Sequence, residues 1–324
     1  MNFNEFKEQV IAACKEAGIE EYELYYSAGE STSVDTFMHA INEFTSQQSG
    51  GVCFRCIVNG KMGYASTEDL SAQQAKELVA KAADSAAVLE AEEQVFLGEG
   101  GQEYEELNVK PYELPTTEEL INTILEVEKK IYGADPAVID GSQVNGIIEQ
   151  SEVAIYNSKG LDLQYKNNAS GLVVVGVVSD GKEMANDYQI KLGKLDEIDT
   201  DKLVKKAVED AKVKLGGEPA PTGQYPVVFD TGAMCSLLQV FSSIFSSEAA
   251  QKGLSRLNDA EGQIIAAPIV TLVDDPFHPE NPEPINFDAE GSPTHKKNII
   301  EKGVLNTLLY NLKTAAVAGK KTTG

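Results

Sequence analysis

The chain has 324 residues, which is long for one hydrophobic core and predicts two domains. Its 51 acidic and 27 basic side chains give a formal net charge of -24, so its averaged field repels phosphate backbones and argues against direct DNA binding. The sequence has neither a membrane-length apolar stretch nor the basic and apolar regions of a signal peptide at its start. We therefore expect a cytoplasmic protein that binds neither nucleic acid nor a membrane directly.

Residues 1–217 predict antiparallel strands flanked by helices. The helix from Asn4 to Ala17 ends at Gly18, and a strand-rich stretch from Tyr22 to Ala65 contains the hairpin signal Asn59-Gly60. Further along the chain the pattern predicts a helix capped by Ser71, a loop over Glu90–Glu106, a helix with a capping box at Thr116 and Glu119, strands over Ile147–Tyr156, Leu161–Val178 and Met184–Leu192, and a helix that ends at Gly216. This part of the chain is expected to form an α+β domain.

The glycines and prolines from Gly216 to Gly223 predict a domain boundary, so that residues 218–324 form a second domain. Its pattern predicts a strand at Pro226–Phe229, a helix through Leu237 and Ile244, strands at Ile264–Val273 and Val304–Leu309, and a proline-rich loop over Pro276–Pro293. The expected fold is therefore α+β in two domains, the second of them β-rich with a few helices.

Motifs for familiar hydrolase chemistry are missing from the sequence. The three histidines, His39, His278 and His295, lie far apart, and none has a second histidine three to five residues later, as a zinc-binding helix requires. Cys53 and Cys56 have the spacing of a redox or metal-binding pair, but they lie in a strand pattern that directs their side chains to opposite faces. The chain is therefore not expected to build a catalytic zinc site by itself.

One group of residues leaves two interpretations open. Asp274, Asp275 and His278 lie close together in sequence and could form an acid/base or metal cluster, with Asp288 or Glu290 as a further member. The order Asp274-Asp275-Pro276 is also typical of a capped turn after a strand, and the turn is favoured.

Several phrases of the C-terminal part occur together and in a fixed order. They are Tyr225-Pro-Val-Val-Phe-Asp230, Lys252-Gly-Leu-Ser255, Ala267-Pro268 leading to Asp274-Asp-Pro276, Phe287-Asp-Ala-Glu-Gly-Ser-Pro-Thr294, Ile299-Ile-Glu-Lys-Gly-Val-Leu305 and the closing Gly319 to Gly324. In these phrases the sequence resembles the TldD/PmbA family of peptidase proteins, also described as modulators of DNA gyrase. The first helix and the strands from Val52 to Ala65 are similar to the family's first domain.

The resemblance implies a zinc site that this chain has lost. TldD-type members carry a His-Glu-x-x-x-His helix that binds zinc, whereas the PmbA type, also called TldE, lacks it and pairs with TldD. The matching helix here is Met234 to Phe245. Alignment on Leu237-Leu238 places Gln239, Val240 and Ile244 at the metal-site positions, alignment on Lys252-Gly253 shifts the register by about one, and neither register supplies a histidine. The apolar face Leu237, Leu238, Phe241 and Ile244 suggests that packing fills the space instead.

The resemblance therefore implies a PmbA/TldE-like subunit of a TldD-type metallopeptidase complex that acts on peptides or unfolded proteins. The chain is expected to hold no cofactor, with zinc in a TldD-like partner, and to form a heterodimer with that partner or a homodimer. Two alternatives stay open: an independent hydrolase that uses Asp274, Asp275 and His278, and a non-enzymatic scaffold or regulatory binding protein. Family members usually continue past the Thr-Thr-Gly phrase, so a further C-terminal segment is expected beyond Gly324.

Overall fold

The computed structural model describes residues 1–90, 94–107 and 112–324. The helices are α1 (Phe3–Ala17), α2 (Ala72–Val88), α3 (Thr117–Ala134), α4 (Thr200–Val213), α5 (Thr231–Phe241), α6 (Ser247–Gln251) and α7 (Leu312–Ala318). The strands are β1 (Glu21–Phe37), β2 (Ala40–Val58), β3 (Lys61–Thr67), β4 (Gln143–Asn157), β5 (Asp162–Ser179), β6 (Met184–Leu192), β7 (Leu272–Asp274), β8 (Lys297–Glu301) and β9 (Val304–Leu305). The α+β fold predicted from the sequence is confirmed.

The first six strands form one antiparallel sheet in the order β3-β2-β1-β4-β5-β6. Each half of the sheet has the same chain order of helix, three strands and helix, and the halves meet where β1 pairs with β4. At the middle of that pair Gly29 lies opposite Ser151. The topology thus repeats although the sequence has no repeat of fixed period.

Local signals fix the ends of these elements as the sequence predicts. Asn2 caps α1 in a capping box with Glu5, and Gly18 ends it in the left-handed conformation at φ 69°. Thr116 and Glu119 form the predicted capping box of α3. Asn59 and Gly60 have φ values of 51° and 75°, the left-handed pair of a tight hairpin turn.

Two hydrophobic cores lie on the helix-covered face of the sheet. Helices α1 and α2 cover β1 to β3, where the buried side chains include Phe6, Leu24, Phe54 and Leu78. Helices α3 and α4 cover the other half, where they include Leu120, Ile124, Val144, Leu172 and Val208. Between the two helix pairs the central strands carry exposed polar side chains, Ser27 and Glu30 on β1 and Glu149 and Gln150 on β4.

A smaller core holds the C-terminal part together around the three-stranded sheet β7-β8-β9. Phe245, Ile299 and Leu305 are buried there. Three predicted strands differ from the structure: the stretch 226–229 has no regular secondary structure, only the end of 264–273 forms a strand, β7, and only the first two residues of 304–309 form a strand, β9. An apolar run forms a strand only where a second strand pairs with it, and side chains such as Val228 and Ile269 stay exposed instead.

The C-terminal part also packs on the face of the sheet that the helices leave open. Phe287 lies against Tyr165 with ring centroids 5.0 Å apart, in a cluster with Ile155 and Leu161. The Tyr104 hydroxyl donates to the carbonyl oxygen of Gly291 at 2.8 Å and ties the loop after α2 to the same turn. The described part of the predicted loop 90–106 has no helix or strand, while residues 91–93 lie outside the described residues.

None of the helices in the described ranges combines the length and apolar character needed to cross a membrane. The division into domains at residue 217 and the cytoplasmic location stay predictions.

Candidate functional site

The positions expected to replace a zinc motif lie at the end of α5. Gln239 and Val240 belong to the helix, and Ile244 lies in the 3-10 turn Ser242–Phe245 that follows. These side chains supply one amide and two aliphatic groups, whereas zinc in proteins takes thiolate, imidazole or carboxylate ligands. The residues present at these positions do not fit a zinc site, and no reaction step can be assigned to a metal held here.

The expectation that the apolar face of α5 fills this space by packing is wrong. No side chain of α5 is buried: Leu237, Leu238 and Phe241 are exposed, the last of them by 57%. Within the described parts of the chain, no other element lies over the helix. Residues 225–244 therefore form an extended apolar surface, a feature typical of surfaces that contact another protein.

The two carboxylates of the alternative site are held by lysines. An Asp274 carboxylate oxygen, Oδ2, lies 3.0 Å from Lys297 Nζ, which also donates to the carbonyl oxygen of Gly324 at 3.0 Å. Asp275 Oδ2 lies 2.7 Å from Lys296 Nζ, and this hydrogen bond holds the pKa of the Asp275 carboxyl below its usual range. Both carboxylates thus have a cationic partner on β8 or beside it.

His278 takes part in the turn that follows these aspartates. Its backbone N–H donates to the carbonyl oxygen of Asp275 at 3.3 Å, and its Nδ1 accepts from the N–H of Glu280 at 3.2 Å. Across residues 1–90, 94–107 and 112–324, no group of three histidine, cysteine, aspartate or glutamate side chains could hold a metal ion. The geometry of this segment is that of a capped turn, as the sequence favoured.

Asp288 and Glu290 belong to a different turn. Asp288 Oδ1 accepts hydrogen bonds from the N–H groups of Glu290 and Ser292, both at 2.9 Å, and Glu290 Oε2 accepts from the N–H of Leu312 at 2.8 Å. Burial raises the pKa of both carboxyls. These two side chains close a turn and anchor the start of α7.

The sequence did not indicate a buried polar cluster at the neighbouring end of the sheet. The Glu23 carboxylate is 1% exposed and accepts from Arg55 Nε at 2.7 Å and from Asn157 Nδ2 at 3.0 Å. Burial raises the pKa of the Glu23 carboxyl, while the guanidinium of Arg55 opposes this rise. Arg55 and Asn157 are both cross-strand partners of Glu23. The register of the strands would therefore have revealed the cluster, but it cannot be read directly from the sequence.

Beside this cluster lies a cavity of about 380 Å³. Its lining includes Arg55, Lys61, Tyr64, Phe96, Glu290 and Asn311. The cavity therefore combines cationic, aromatic and amide groups where the first half of the sheet meets the C-terminal part.

Comparison with known families decides the classification. Sequence models of three PmbA/TldA metallopeptidase domains match in order: domain 1 over residues 22–86, the central domain over residues 110–215 and the C-terminal domain over residues 222–324. The chain belongs to the TldD/PmbA family. In family terms, β1 to β3 with α2 lie in the first match, β4 to β6 with α3 and α4 in the central match, and α5 in the C-terminal match.

The curated relatives in this family have low sequence identity to this chain, but the matches cover most of it. A protein named Metalloprotease from Methanothermobacter thermautotrophicus is 26% identical over 298 residues, which cover 88% of this chain and 63% of that protein. An uncharacterized protein of Methanocaldococcus jannaschii is 24% identical over 318 residues, 98% of this chain and 73% of its own length. The chain thus spans about two thirds to three quarters of the length of these relatives.

Solved structures of the family have the same fold. A chain from Thermotoga maritima described as a modulator of a DNA gyrase has a TM-score of 0.91 at 26% identity, and the match covers all of this chain and 74% of that one. TldE from Thermococcus kodakarensis has a TM-score of 0.88 at 23% identity over 98% of this chain and 72% of its own.

Proposed function

We propose that this chain is a PmbA/TldE-like subunit of a TldD-type metallopeptidase complex that acts on peptides or unfolded proteins, and that it is catalytically silent by itself. The observation that carries the proposal is that the helix aligned with the family's zinc motif, residues 234–245, has no histidine, with Gln239, Val240 and Ile244 at the expected metal-site positions. An amide and two aliphatic groups cannot hold zinc, so the metal and the cleavage belong to a TldD-like partner.

Residues 225–244 expose an apolar surface that a further polypeptide segment would cover. A TldD-like subunit would supply one such segment, and the part of the family's length beyond the 74% that this chain matches would supply another. The net charge of -24 argues against direct contact with DNA, so any effect on a DNA enzyme would pass through protein or peptide substrates. The expected location of the complex is the cytoplasm.

Two measurements test the proposal. Metal analysis of the purified chain is expected to find zinc far below one equivalent. Peptide cleavage is then compared for this chain, for a zinc-bearing TldD relative and for their mixture. We expect cleavage above the level of the relative alone only in the mixture, with all of it lost on addition of a chelator. Chelator-sensitive cleavage by this chain alone would overturn the proposal.

The independent-hydrolase alternative has its own control. Asp275→Ala removes the carboxylate that pairs with Lys296. If the chain acts through its partner, this variant leaves cleavage by the mixture unchanged. A loss of activity by at least tenfold, with the mixture still assembled, would favour a site at Asp275 and His278.

A further inference from the structure

A row of polar side chains crosses four strands on the face of the large sheet opposite the helices. Asn157 lies opposite Glu23, and Glu23 lies opposite Arg55. Arg55 in turn lies opposite Tyr64 of β3. Directly paired residues share a face of the sheet, so these side chains line up from β4 to β3. Asn157 and Glu23 are 2% and 1% exposed, whereas the Arg55 side chain is 18% and Tyr64 54% exposed, so the row is buried at one end and open at the other.

The cavity of about 380 Å³ lies at the open end of this row, since Arg55 and Tyr64 both belong to its lining. Phe96 of the loop after α2 and Glu290 of the C-terminal part also line it. That loop and the turn at Glu290 are in close contact, because a Cβ added at Gly98 would lie 2.3 Å from the carbonyl oxygen of Glu290. The walls of the cavity are therefore held in place by the fold itself, which lowers the cost of ordering them around a ligand.

The charge of the lining is opposite in sign to that of the chain. Of the lining residues that the structure describes, Arg55, Lys61 and Lys313 are basic and only Glu290 is acidic. The whole chain, in contrast, has 51 acidic and 27 basic side chains. Glu290 Oε2 already accepts a hydrogen bond from the N–H of Leu312 at 2.8 Å. The cavity therefore favours an anionic group over a cationic one.

Two of these cations have hydrogen-bond donors in excess of their partners. Lys61 Nζ donates to the carbonyl oxygen of Leu89, and within the described ranges no carboxylate pairs with it. Arg55 contacts Glu23 Oε1 through Nε at 2.7 Å and through Nη2 at 2.6 Å, so both contacts go to one oxygen. Arg55 Nη2 is buried without a well-aligned hydrogen bond. A guanidinium has five N–H donors, so a further acceptor would find donors that the described residues leave unfilled.

We propose that this cavity binds the C-terminal carboxylate of a short peptide, with the carboxylate at Arg55 and Lys61 and the last side chain against Tyr64 and Phe96. Cationic donors form their strongest hydrogen bonds with carboxylates, and aromatic rings pack against apolar side chains. The volume is at the lower end of the range for ligand pockets, so only the end of a peptide fits. The choice of a peptide rests on the proposed function, whereas the choice of an anion rests on the lining alone.

A carboxylate matches the charge of this cavity better than a phosphate does. Glu23 already pairs with Arg55, and Glu290 adds a negative charge to the lining, so little positive charge is left uncompensated. A phosphate dianion would need more of it, and it is also repelled more strongly by the net charge of -24. The site is therefore expected to prefer a monoanion.

Calorimetric titration of the full chain with two matched ligands tests the inference. The ligands are N-acetyl-Ala-Phe with a free carboxylate and the same compound as its C-terminal amide, at pH 7 and about 0.15 M salt. The free acid is expected to bind at least about tenfold more tightly than the amide, because only the acid makes charge-assisted hydrogen bonds. Inorganic phosphate at the concentration of the acid is expected not to displace it. Absence of binding, equal affinity for acid and amide, or displacement by phosphate would each overturn the inference.

Variants of the open end of the row place the bound peptide. Lys61→Gln is expected to raise the Kd of the free acid at least about tenfold and Tyr64→Ala at least about fivefold. The other half of the sheet offers matched controls. Lys182 follows the left-handed Gly181 of a hairpin turn as Lys61 follows Gly60, and Tyr188 of β6 is 59% exposed. Lys182→Gln and Tyr188→Ala are expected to leave the Kd unchanged.

Should Lys61→Gln or Tyr64→Ala lose the wild-type circular dichroism spectrum, Asn311→Asp decides instead. Asn311 lines the cavity and caps α7, and aspartate caps a helix as well as asparagine does. This variant therefore keeps the fold, places a negative charge in the lining and is expected to raise the Kd at least about fivefold. Asn2→Asp, the same change at the cap of α1, is the control. An unchanged Kd in the folded cavity variants would place the peptide elsewhere and overturn the inference.

The titration uses this chain without metal or partner, so its outcome is separate from that of the cleavage assay. If the mixture with the zinc-bearing relative cleaves peptides but the acid and the amide bind alike, only the inference fails. If the acid binds selectively but the mixture shows no gain in cleavage, the proposed function fails and the carboxylate site stands.

Discussion

Asn157 Nδ2 donates a hydrogen bond to Glu23 Oε2 at 3.0 Å across the central strand pair, where the register of β1 and β4 places the two residues opposite each other. The same Nδ2 donates to the carbonyl oxygen of Gly98 at 2.8 Å, so one amide joins both halves of the sheet to the loop after α2. Since Arg55 occupies the other oxygen of Glu23, this carboxylate holds three segments together.

Replacing Glu23 with alanine is expected to lower the free energy of unfolding by about 2–3 kcal/mol, because it leaves the charge of Arg55 and the amide of Asn157 without their acceptor. The figure lies at the low end for a buried pair because the Arg55 side chain is 18% exposed. Urea unfolding followed by circular dichroism measures it. Glu23→Gln, which keeps an acceptor oxygen, is expected to cost less.

The control is Glu16→Ala. Glu16 pairs with Lys76, but both side chains are 66% exposed, and such surface pairs contribute about 0.5 kcal/mol or less. An equal loss in Glu23→Ala and Glu16→Ala would show that the buried cluster does not stabilise the fold as described.

Asp288 is expected to make stability fall as pH rises. Burial raises its pKa in the folded chain, so its favourable contribution is complete below the unfolded pKa of about 3.9 and is lost as pH rises through the folded value. Asp288→Asn keeps the acceptor Oδ1 but cannot ionise. Its melting temperature relative to wild type should therefore increase as pH rises from about 4 to the folded pKa of Asp288, and stay constant above it.

Glu119→Gln serves as the comparison for this pH series. The pKa of Glu119 is lowered by its hydrogen bonds to Thr116, so its contribution is present above the unfolded pKa and is lost only on acidification below about pH 4.3. The difference between this variant and wild type should be constant over the same range. A constant difference for Asp288→Asn as well would contradict the assignment.

Close packing between the loop after α2 and the turn at Glu290 gives a third prediction. A Cβ added at Gly98 would lie 2.3 Å from the carbonyl oxygen of Glu290, so Gly98→Ala must separate the two segments and should cost about 1–3 kcal/mol in unfolding free energy. Gly133→Ala is the matched control, since Gly133 is in α3 with nothing within 4 Å of its Cβ position. Gly133→Ala should raise the free energy of unfolding by about 0.5–1 kcal/mol.

The local features of the fold could be read from the sequence because each depends on residues a few positions apart. The cap at Thr116, the helix end at Gly18 and the turn at Asn59-Gly60 are all of this kind. Strand register depends on residues more than a hundred positions apart, as Glu23 and Asn157 are. The polar cluster and the single joined sheet therefore could not be derived in advance.

The candidate site likewise has features that could be predicted from the sequence and features that could not. The capped turn at Asp275 and His278 follows from local hydrogen bonds, and the sequence favoured it. Whether α5 is exposed depends on which other elements cover it. The spacing of its apolar residues predicts an apolar face, but it does not identify the element that packs against this face.

The four cysteines should divide into two classes of reactivity. Cys14 and Cys56 are buried, and burial raises the pKa of the Cys14 thiol to about 12, whereas Cys53 and Cys235 are exposed. Only the thiolate reacts with a disulfide reagent, and burial also raises the pKa of Cys53. In the native chain Cys53 and Cys235 should therefore react, and Cys14 and Cys56 only after unfolding. Mass spectrometry after timed labelling identifies which cysteine has reacted. The variants Cys53→Ser and Cys235→Ser check the assignment of the two exposed sites. Rapid loss of both Cys53 and Cys56 as a disulfide would contradict their placement on opposite faces of β2.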